Sequence, residues 1–357
     1  MTVFDHPEFD RHEIVHFVDD PGTGLKAIIA IHSNALGPAA GGCRRWQYAT
    51  DADAVTDVLR LSRGMTYKNA IAGLPFGGGK SVILASDDSP KSDALFRAFG
   101  RAVDSLGGRY ITAEDVGISV EDMRIVRDET SFVSGLPKSG DAAGGDPSPW
   151  TALGCFLGLK AAAARRFDKS DVSGLKVAVQ GVGHVGLRLV ELLAEAGAEV
   201  VVADVNRENL NRAEAIEGVS VASTRDILFA DVDILAPCAL GNVIDAQTIP
   251  KIKAKLIAGA ANNQLATSED GARLAERDIL YVPDYVLNAG GVISVAHEYL
   301  GESSEDVVQS EIERIPARLE EIFDEAERSK RPTNDIADDL ARRIVAEAGD
   351  PDARRIA

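Results

Sequence analysis

Two lysines stand where lysine is unusual. Lys68 lies within Met65-Thr66-Tyr67-Lys68-Asn69-Ala70, and Lys80 follows Leu74-Pro75-Phe76-Gly77-Gly78-Gly79, so both sit among small and apolar residues. Withdrawal from water and a second cation nearby both favour the neutral amine, the form that can take a proton. Three successive glycines also remove the side chains that would keep a ligand from the backbone. The segment Thr112-Ala113-Glu114-Asp115-Val116-Gly117 follows the apolar pair Tyr110-Ile111 and can bring a carboxylate to the same place. One acid beside two lysines can shuttle protons. Residue types and spacing leave a second reading open, a surface lysine pair with an unrelated loop acid.

The other chemical constellation is Gly181-Val182-Gly183-His184-Val185-Gly186. Gly181 permits a tight turn, Gly183 lets the backbone approach a pyrophosphate, and Gly186 allows close packing of the following helix, whose N-terminus faces the anion. The surroundings agree, with an apolar strand at 176–180, a helix at 187–196 closed by Gly197, a strand at 199–203, and Asp204 at its end. An acid there bonds the ribose hydroxyls of NAD and repels the extra phosphate of NADP. Arg207 keeps NADP as the weaker alternative, beside the plainer reading of a solvated arginine at a helix start.

Several elements must position these groups. Residues 24–31 read as a buried strand and 34–42 as a Gly/Pro-rich loop. A helix opens at Asp51, with Ala54, Val55, Val58, Leu59 and Ser62 at three- and four-residue spacing, Arg60 and Arg63 near its end, and Gly64 to stop it. Apolar segments at 232–235, 255–258 and 279–282, spaced by helical stretches, complete a doubly wound parallel sheet with the strands at 176–180 and 199–203. Beyond Gly301, Ile312, Ile315, Leu319 and Ile322 fall at helical spacing and predict terminal helices.

A chain of 357 residues with 45% hydrophobic content can bury two cores. Its formal net charge of -18 argues against a nucleic-acid footprint. Cys43, Cys155 and Cys238 lack C-x-x-C spacing, which predicts neither a disulfide framework nor a metal site and fits a reducing cytoplasm. The charged first twenty residues do not read as a signal peptide, and no apolar run reaches bilayer length, so no membrane partner is expected.

Taken in order, Gly37-Pro38-Ala39-Ala40-Gly41-Gly42-Cys43-Arg44, the two lysine segments, the Asp115 segment, Gly144-Gly145-Asp146-Pro147-Ser148-Pro149-Trp150-Thr151 and the glycine turn at Gly181 resemble the glutamate/leucine/phenylalanine/valine dehydrogenase family. The likeness continues through Ala236-Pro237-Cys238-Ala239-Leu240-Gly241, Gly259-Ala260-Ala261-Asn262-Asn263-Gln264 and Pro283-Asp284-Tyr285-Val286-Leu287-Asn288-Ala289-Gly290-Gly291-Val292. It spans about 35 to 301 and, within the family, is most like the leucine dehydrogenases. The resemblance implies an α/β protein of two domains separated by a cleft, an N-terminal α/β catalytic domain at 1–138 and a Rossmann NAD-binding domain at 139–330. A helical tail at 331–357 would pack back on the first.

By matching positions, the resemblance makes Lys80 the catalytic base and Asp115 its proton partner, with Lys68 and Asn262 on the substrate carboxylate. Ala40, Gly41, Gly42, Ala113, Val292 and Val295 would complete the substrate site. Thr151, Cys238, Ala239, Asn262 and Asn288 would contact the cofactor on its nicotinamide side, and Gly181, Val182, Gly183, His184, Val185, Gly186, Asp204 and Val205 would hold the remainder. The implied reaction is NAD-dependent oxidative deamination of a small apolar L-amino acid, leucine foremost, to its 2-oxo acid and ammonia, reversible as reductive amination. A cytoplasmic homo-oligomer serving branched-chain catabolism, with an octamer as the leucine dehydrogenase expectation, goes with it.

Glutamate-specific members carry a lysine before the paired glycines, where this chain has Ala40. A distal carboxylate would be left without a partner in an apolar pocket. Leucine dehydrogenases usually carry leucine at that position, and asparagine where this chain has Asp146, so phenylalanine or valine remain alternative substrates. A regulator that binds NAD without turnover is the alternative of another class, opposed by the joint presence of Lys68, Lys80 and Asp115. A hydroxy-acid dehydrogenase would need a histidine acid/base, and His6, His12, His16, His32, His184 and His297 read instead as surface or packing residues.

Overall fold

The computed structural model describes residues 2–86, 89–136, 146–169, 171–301 and 304–350. The expected domain boundary at 138/139, the pair Gly144-Gly145 and the last residues of the expected tail lie outside them. The chain forms two compact units, one of residues 1–145, 295–304 and 341–357, the other of residues 146–294 and 305–340.

The first unit is built on strands β1 (Ile14–Asp20), β2 (Leu25–Ser33), β3 (Ala39–Ala40), β4 (Cys43–Trp46), β5 (Gly77–Leu84) and β6 (Tyr110–Ile111), with helices α1 (Asp51–Ile71), α2 (Asp93–Asp104) and α3 (Val120–Arg127). The strand order is β1-β2-β5-β3-β6, and β4 also pairs with β5. Alternation along β2 explains the layering. Leu25, Ala27, Ile29 and Ile31 share a core with Leu95, Phe96 and Phe99 of α2 and Met123 and Val126 of α3. Ile28 and Ala30 point the other way, against Ala54, Val58 and Leu59 of α1.

Helix α1 begins at Asp51, behind the N-cap Thr50, whose hydroxyl accepts from Asp53 N at 3.2 Å. It does not stop at Gly64. The helix runs on to Ile71 because Thr66, Tyr67, Asn69, Ala70 and Ile71 are buried, and it ends where Gly73 takes a left-handed φ of 71°. Gly64 is exposed, and a Cβ there would meet nothing within 4 Å. This correction places Lys68 in the last helical turn.

The three glycines of β5 serve close packing. A Cβ at Gly77 would lie 1.9 Å from Ser33 O, one at Gly78 2.0 Å from Thr66 N, and one at Gly79 2.7 Å from the Tyr110 ring. Strand β5 is thereby squeezed between α1 and its sheet neighbours. Two of the six histidines are also packing residues: His12 and His32 are buried with ring centroids 4.9 Å apart, and His32 Nδ1 lies 2.8 Å from Thr66 Oγ1.

The second unit carries β7 (Lys176–Gln180), β8 (Glu199–Ala203), β9 (Val219–Val221), β10 (Ile234–Pro237), β11 (Leu256–Ile257) and β12 (Leu280–Tyr281). They form a parallel sheet in the order β12-β11-β10-β7-β8-β9, so the order reverses between β7 and β10. That crevice is where α/β sheets of this kind bind ligands. Helices α4 (Ser148–Phe167), α5 (His184–Glu195), α6 (Arg207–Glu214), α7 (Glu269–Glu276) and α8 (Asp284–Leu287) are followed by α9 (Gly290–Leu300), α10 (Glu305–Ile312), α11 (Ile315–Ser329) and α12 (Thr333–Gly349). Ile312, Ile315, Leu319 and Ile322 are all buried. A Cβ at Gly158 of α4 would strike Leu287 and Leu319, so that glycine lets α4 and α11 close up. No helix among the described residues is long and apolar enough to cross a membrane.

The two glycines of opposite environment yield opposite expectations. Gly64→Ala, in an exposed helix interior, should raise the unfolding free energy by about 0.5 to 1 kcal/mol. Gly78→Ala should lower it by about 2 kcal/mol or more, since the Thr66 backbone cannot step aside cheaply. Urea unfolding midpoints of both variants check the pair.

Candidate active site

The segment 39–46 runs parallel to β5, with Ala40 opposite Gly78 and Cys43 opposite Ser81, and the ladder is interrupted at Gly41-Gly42, alongside Gly79 and Lys80. A Cβ at Gly41 would lie 1.8 Å from Gly79 O, and one at Gly42 2.6 Å from Glu114 O. The segment 110–116 follows the far side of the same stretch, with Gly41 N bonded to Ile111 O at 3.1 Å, Cys43 N to Ala113 O at 2.7 Å and Arg45 N to Val116 O at 2.9 Å. These backbone bonds carry Asp115 alongside Arg44. Glycine at 41 and 42 is therefore what lets three segments converge on Lys80.

Lys80 is buried, and its Nζ lies 2.8 Å from Asp115 Oδ2. The same oxygen accepts from Arg44 Nε at 3.1 Å. Arg44 Nη1 donates in turn to Asp57 Oδ2 at 3.0 Å, which also accepts from the Tyr48 hydroxyl at 2.6 Å. Burial alone would push the Asp115 carboxyl upward, but the Lys80 ammonium and Arg44 guanidinium outweigh it and hold that carboxyl below the usual aspartate value. Asp115 is thus an anion that orients Lys80 and can take a proton from it only transiently. Cys43, beside the pair, is inert: burial pushes its thiol up to about 12.

The other expected residues of this unit lie close in the chain or the sheet. Ala40 and Ala113 are half-buried on the segments that bracket Gly41-Gly42, and Lys68 is half-buried on α1. On α9, Val295 of this unit and Val292 of the other are half-buried, three residues apart and hence on one helix face.

In the second unit, Gly181 has a φ of 92°, and a Cβ on it would lie 2.6 Å from that of Ala239, beyond the end of β10. A Cβ at Gly186 would meet Gly181 O at 2.0 Å, whereas one at Gly183 would meet nothing within 4 Å. Gly183 caps α5 with no side-chain hydrogen bond, so the first-turn N–H groups are not taken up by a cap. Asp204 braces the turn: its Oδ2 accepts from Val182 N at 2.8 Å and its Oδ1 from Asn206 N at 2.7 Å. Val205 is exposed beside it, and His184 stands at the first position of α5 with Val185 next. Arg207 Nη2 reaches back along its own helix to Glu214 at 3.5 Å.

Asn288 donates through Nδ2 to Asn262 Oδ1 at 2.8 Å and to Ala260 O at 3.0 Å. That bond engages the oxygen edge of the Asn262 amide, and its other edge carries the donors, the polarity that suits a carboxylate. Ala260 N also bonds Cys238 Sγ at 3.5 Å, tying that strip to the end of β10. Thr151 Oγ1 donates to Pro147 O at 3.0 Å, and a Cβ on Gly291 would lie 2.5 Å from that hydroxyl, so glycine lets the starts of α4 and α9 meet.

An open glycine turn before an uncapped helix, in a parallel sheet whose order reverses beside it, and a buried lysine paired with a carboxylate define a two-unit α/β oxidoreductase. The chain belongs to the glutamate/leucine/phenylalanine/valine dehydrogenase family: residues 12–132 match its dimerisation domain and residues 203–348 its dehydrogenase domain. It is 48% identical over 342 residues to leucine dehydrogenase of Geobacillus stearothermophilus, covering 96% of this chain and 92% of that protein. It is 49% identical over 327 residues to valine dehydrogenase of Streptomyces virginiae, covering 90% and 88%. The crystal structure of L-tryptophan dehydrogenase from Nostoc punctiforme superposes with a TM-score of 0.82 at 43% identity, covering 95% of this chain and 97% of that one.

Sequence reasoning gave no role to Arg44, although it closes the Gly41-Gly42-Cys43-Arg44 motif, and it passed over Asp57 and Tyr48. The one available signal was an aspartate on the buried face of a helix, three residues after Ala54. Because Asp115 serves two cations, Asp115→Asn should leave Lys80 without its carboxylate beside an Arg44 that keeps only Asp57. The expected cost is about 2 kcal/mol, below the roughly 3 to 5 of a fully enclosed pair because the carboxylate is partly exposed. Thermal unfolding of the variant against the wild type at neutral pH measures it.

Proposed function

We propose that this dehydrogenase catalyses NAD-dependent oxidative deamination of a small apolar L-amino acid, leucine foremost, with reductive amination as the reverse. The observation that carries the reading is the buried Lys80 Nζ held 2.8 Å from Asp115 Oδ2 in a setting that glycines keep open to three segments. The residues present fit a dinucleotide: Gly183 leaves room, the first turn of α5 offers N–H groups, and Asp204 stands at the end of β8. Arg207 turned toward Glu214, and the carboxylate of Asp204, support NAD over NADP. When bound, the nicotinamide supplies the acceptor for the hydride leaving the amino-acid Cα.

The rest falls to the chain itself. The family likeness supports Lys68, and separately the Asn262 amide, as ligands of the substrate carboxylate. Neutral Lys80 takes a proton from the water that adds to the iminium carbon, Asp115 Oδ2 keeps the resulting ammonium in place, Lys80 returns the proton to the amine nitrogen, and it takes the carbinol hydroxyl proton as the C–N bond breaks and the carbonyl forms. Ammonia and the 2-oxo acid leave. The residues that the family likeness assigns to the side-chain site, Ala40, Ala113, Val292 and Val295, include no cation to pair a distal carboxylate, which disfavours glutamate. The small Ala40 favours a second reading, phenylalanine or another aromatic substrate, in keeping with the tryptophan dehydrogenase relative. A cytoplasmic homo-oligomer with a catabolic role belongs to the same proposal; the dimerisation domain named for residues 12–132 supports self-association.

Lys80→Ala separates the two units' tasks. It should bind NAD with unchanged Kd, read by fluorescence titration, while turnover of leucine falls by roughly three orders of magnitude or more. Near-normal turnover by the folded variant would remove Lys80 from the mechanism.

A further inference from the structure

Asp115 does not serve Lys80 alone. Its Oδ2 receives Lys80 Nζ at 2.8 Å and Arg44 Nε at 3.1 Å, and Arg44 is held from its other side by Asp57 at 3.0 Å. Lysine, aspartate, arginine and aspartate thus form a row of alternating charge from β5 through the 112–117 segment and β4 to α1. Both Arg44 and Asp57 are about three-quarters buried. A planar guanidinium fixed through two different nitrogens by two carboxylates cannot rotate without breaking one bond. An arginine needed only for charge would not require the second anchor.

We propose that Arg44, braced by Asp57, is a positioning residue that sets how firmly Asp115 holds the proton on Lys80. This rests on the reading of Lys80 as the base. Alone with Lys80, Asp115 would stabilise the ammonium and delay proton release to higher pH. Sharing its oxygen with Arg44 weakens that hold, and Asp57 limits the weakening by neutralising part of the guanidinium charge. The thiol and the two phenols beside the row keep one charge state across the working range. Cys43 on β4 stays a thiol, and burial holds the hydroxyls of Tyr48 and of Tyr110 on β6 protonated. Asp122 on α3 is kept ionised by its bonds to Lys91 and Ser119 against the effect of burial, and Glu114 is exposed.

Opposite charges in one row predict shifts of opposite sign. Arg44→Gln, Asp57→Asn and Arg44→Lys are compared with the wild type by two pH profiles: competitive acetylation of Lys80 by acetic anhydride, read by peptide mass spectrometry, and kcat/KM for leucine with NAD. Arg44→Gln should move both profiles up by about one pH unit and lower kcat by roughly ten- to a hundredfold with NAD Kd unchanged. Asp57→Asn should move them down by about half a unit. Arg44→Lys keeps the charge and should restore most of the shift. If Arg44→Gln does not fold, the sign of the Asp57→Asn shift decides. Profiles that stay put, or shift the same way in Arg44→Gln and Asp57→Asn, overturn the proposal. Opposite labelling shifts in a protein that turns over no amino acid would uphold the Arg44 linkage and sink the dehydrogenase reading instead.

Discussion

A buried ammonium at position 80 is the constraint around which the first unit is arranged. An unpaired charge withdrawn from water costs several kcal/mol, so the fold must deliver a carboxylate to it. Asp115 is that carboxylate, and it comes from a segment that reaches Lys80 only because 110–116 runs along 39–45. Gly41 and Gly42 allow that convergence, while Gly77, Gly78 and Gly79 allow α1 and Tyr110 to press on β5 from other directions. A side chain at any of these five positions would collide with a neighbouring segment, so the elements could not close as they do. The sheet, the glycines and the charge row are one solution to one electrostatic problem.

The second unit solves a different problem with local means. Strand, turn, helix, strand and acid are consecutive in sequence, and each glycine acts on a neighbour within a few residues or at the next strand end. Asp204 is spent on the turn itself, bonding Val182 N and Asn206 N, so it shapes the loop. Asn288 orients Asn262 in the same spirit, engaging the oxygen edge of its amide.

This difference explains what could be read in the sequence. The strands at 176–180 and 199–203 and the turn between them were legible because periodicity and glycine placement report local geometry. Helix α1 was cut short at Gly64 because a glycine in a helical pattern looks like a stop, whereas only Gly73 has the left-handed backbone of one. The packing role of the β5 glycines went unread because the neighbours they admit, Ser33, Thr66 and Tyr110, are distant in sequence. Arg44 and Asp57 went unread for the same reason: Arg44 meets Asp115 across 71 residues, and no spacing rule reports such a meeting. Family resemblance, not residue pattern, joined Lys80 to Asp115 before the structure did.

The central proposal is that a hydride leaves the Cα of an apolar amino acid and that Lys80, held by this charge row, then takes a proton from the water that adds to the iminium carbon. Wild-type protein given NAD and L-leucine deuterated at Cα tests it most directly, with mass spectrometry of the reduced cofactor and assays of ammonia and the 2-oxo acid. The account predicts one deuterium in each NADH, with ammonia and 2-oxo acid formed in equal amounts, and little or no reaction with glutamate. Deuterium lost to solvent, turnover of glutamate in preference to leucine, or NAD bound without any reduction would contradict it.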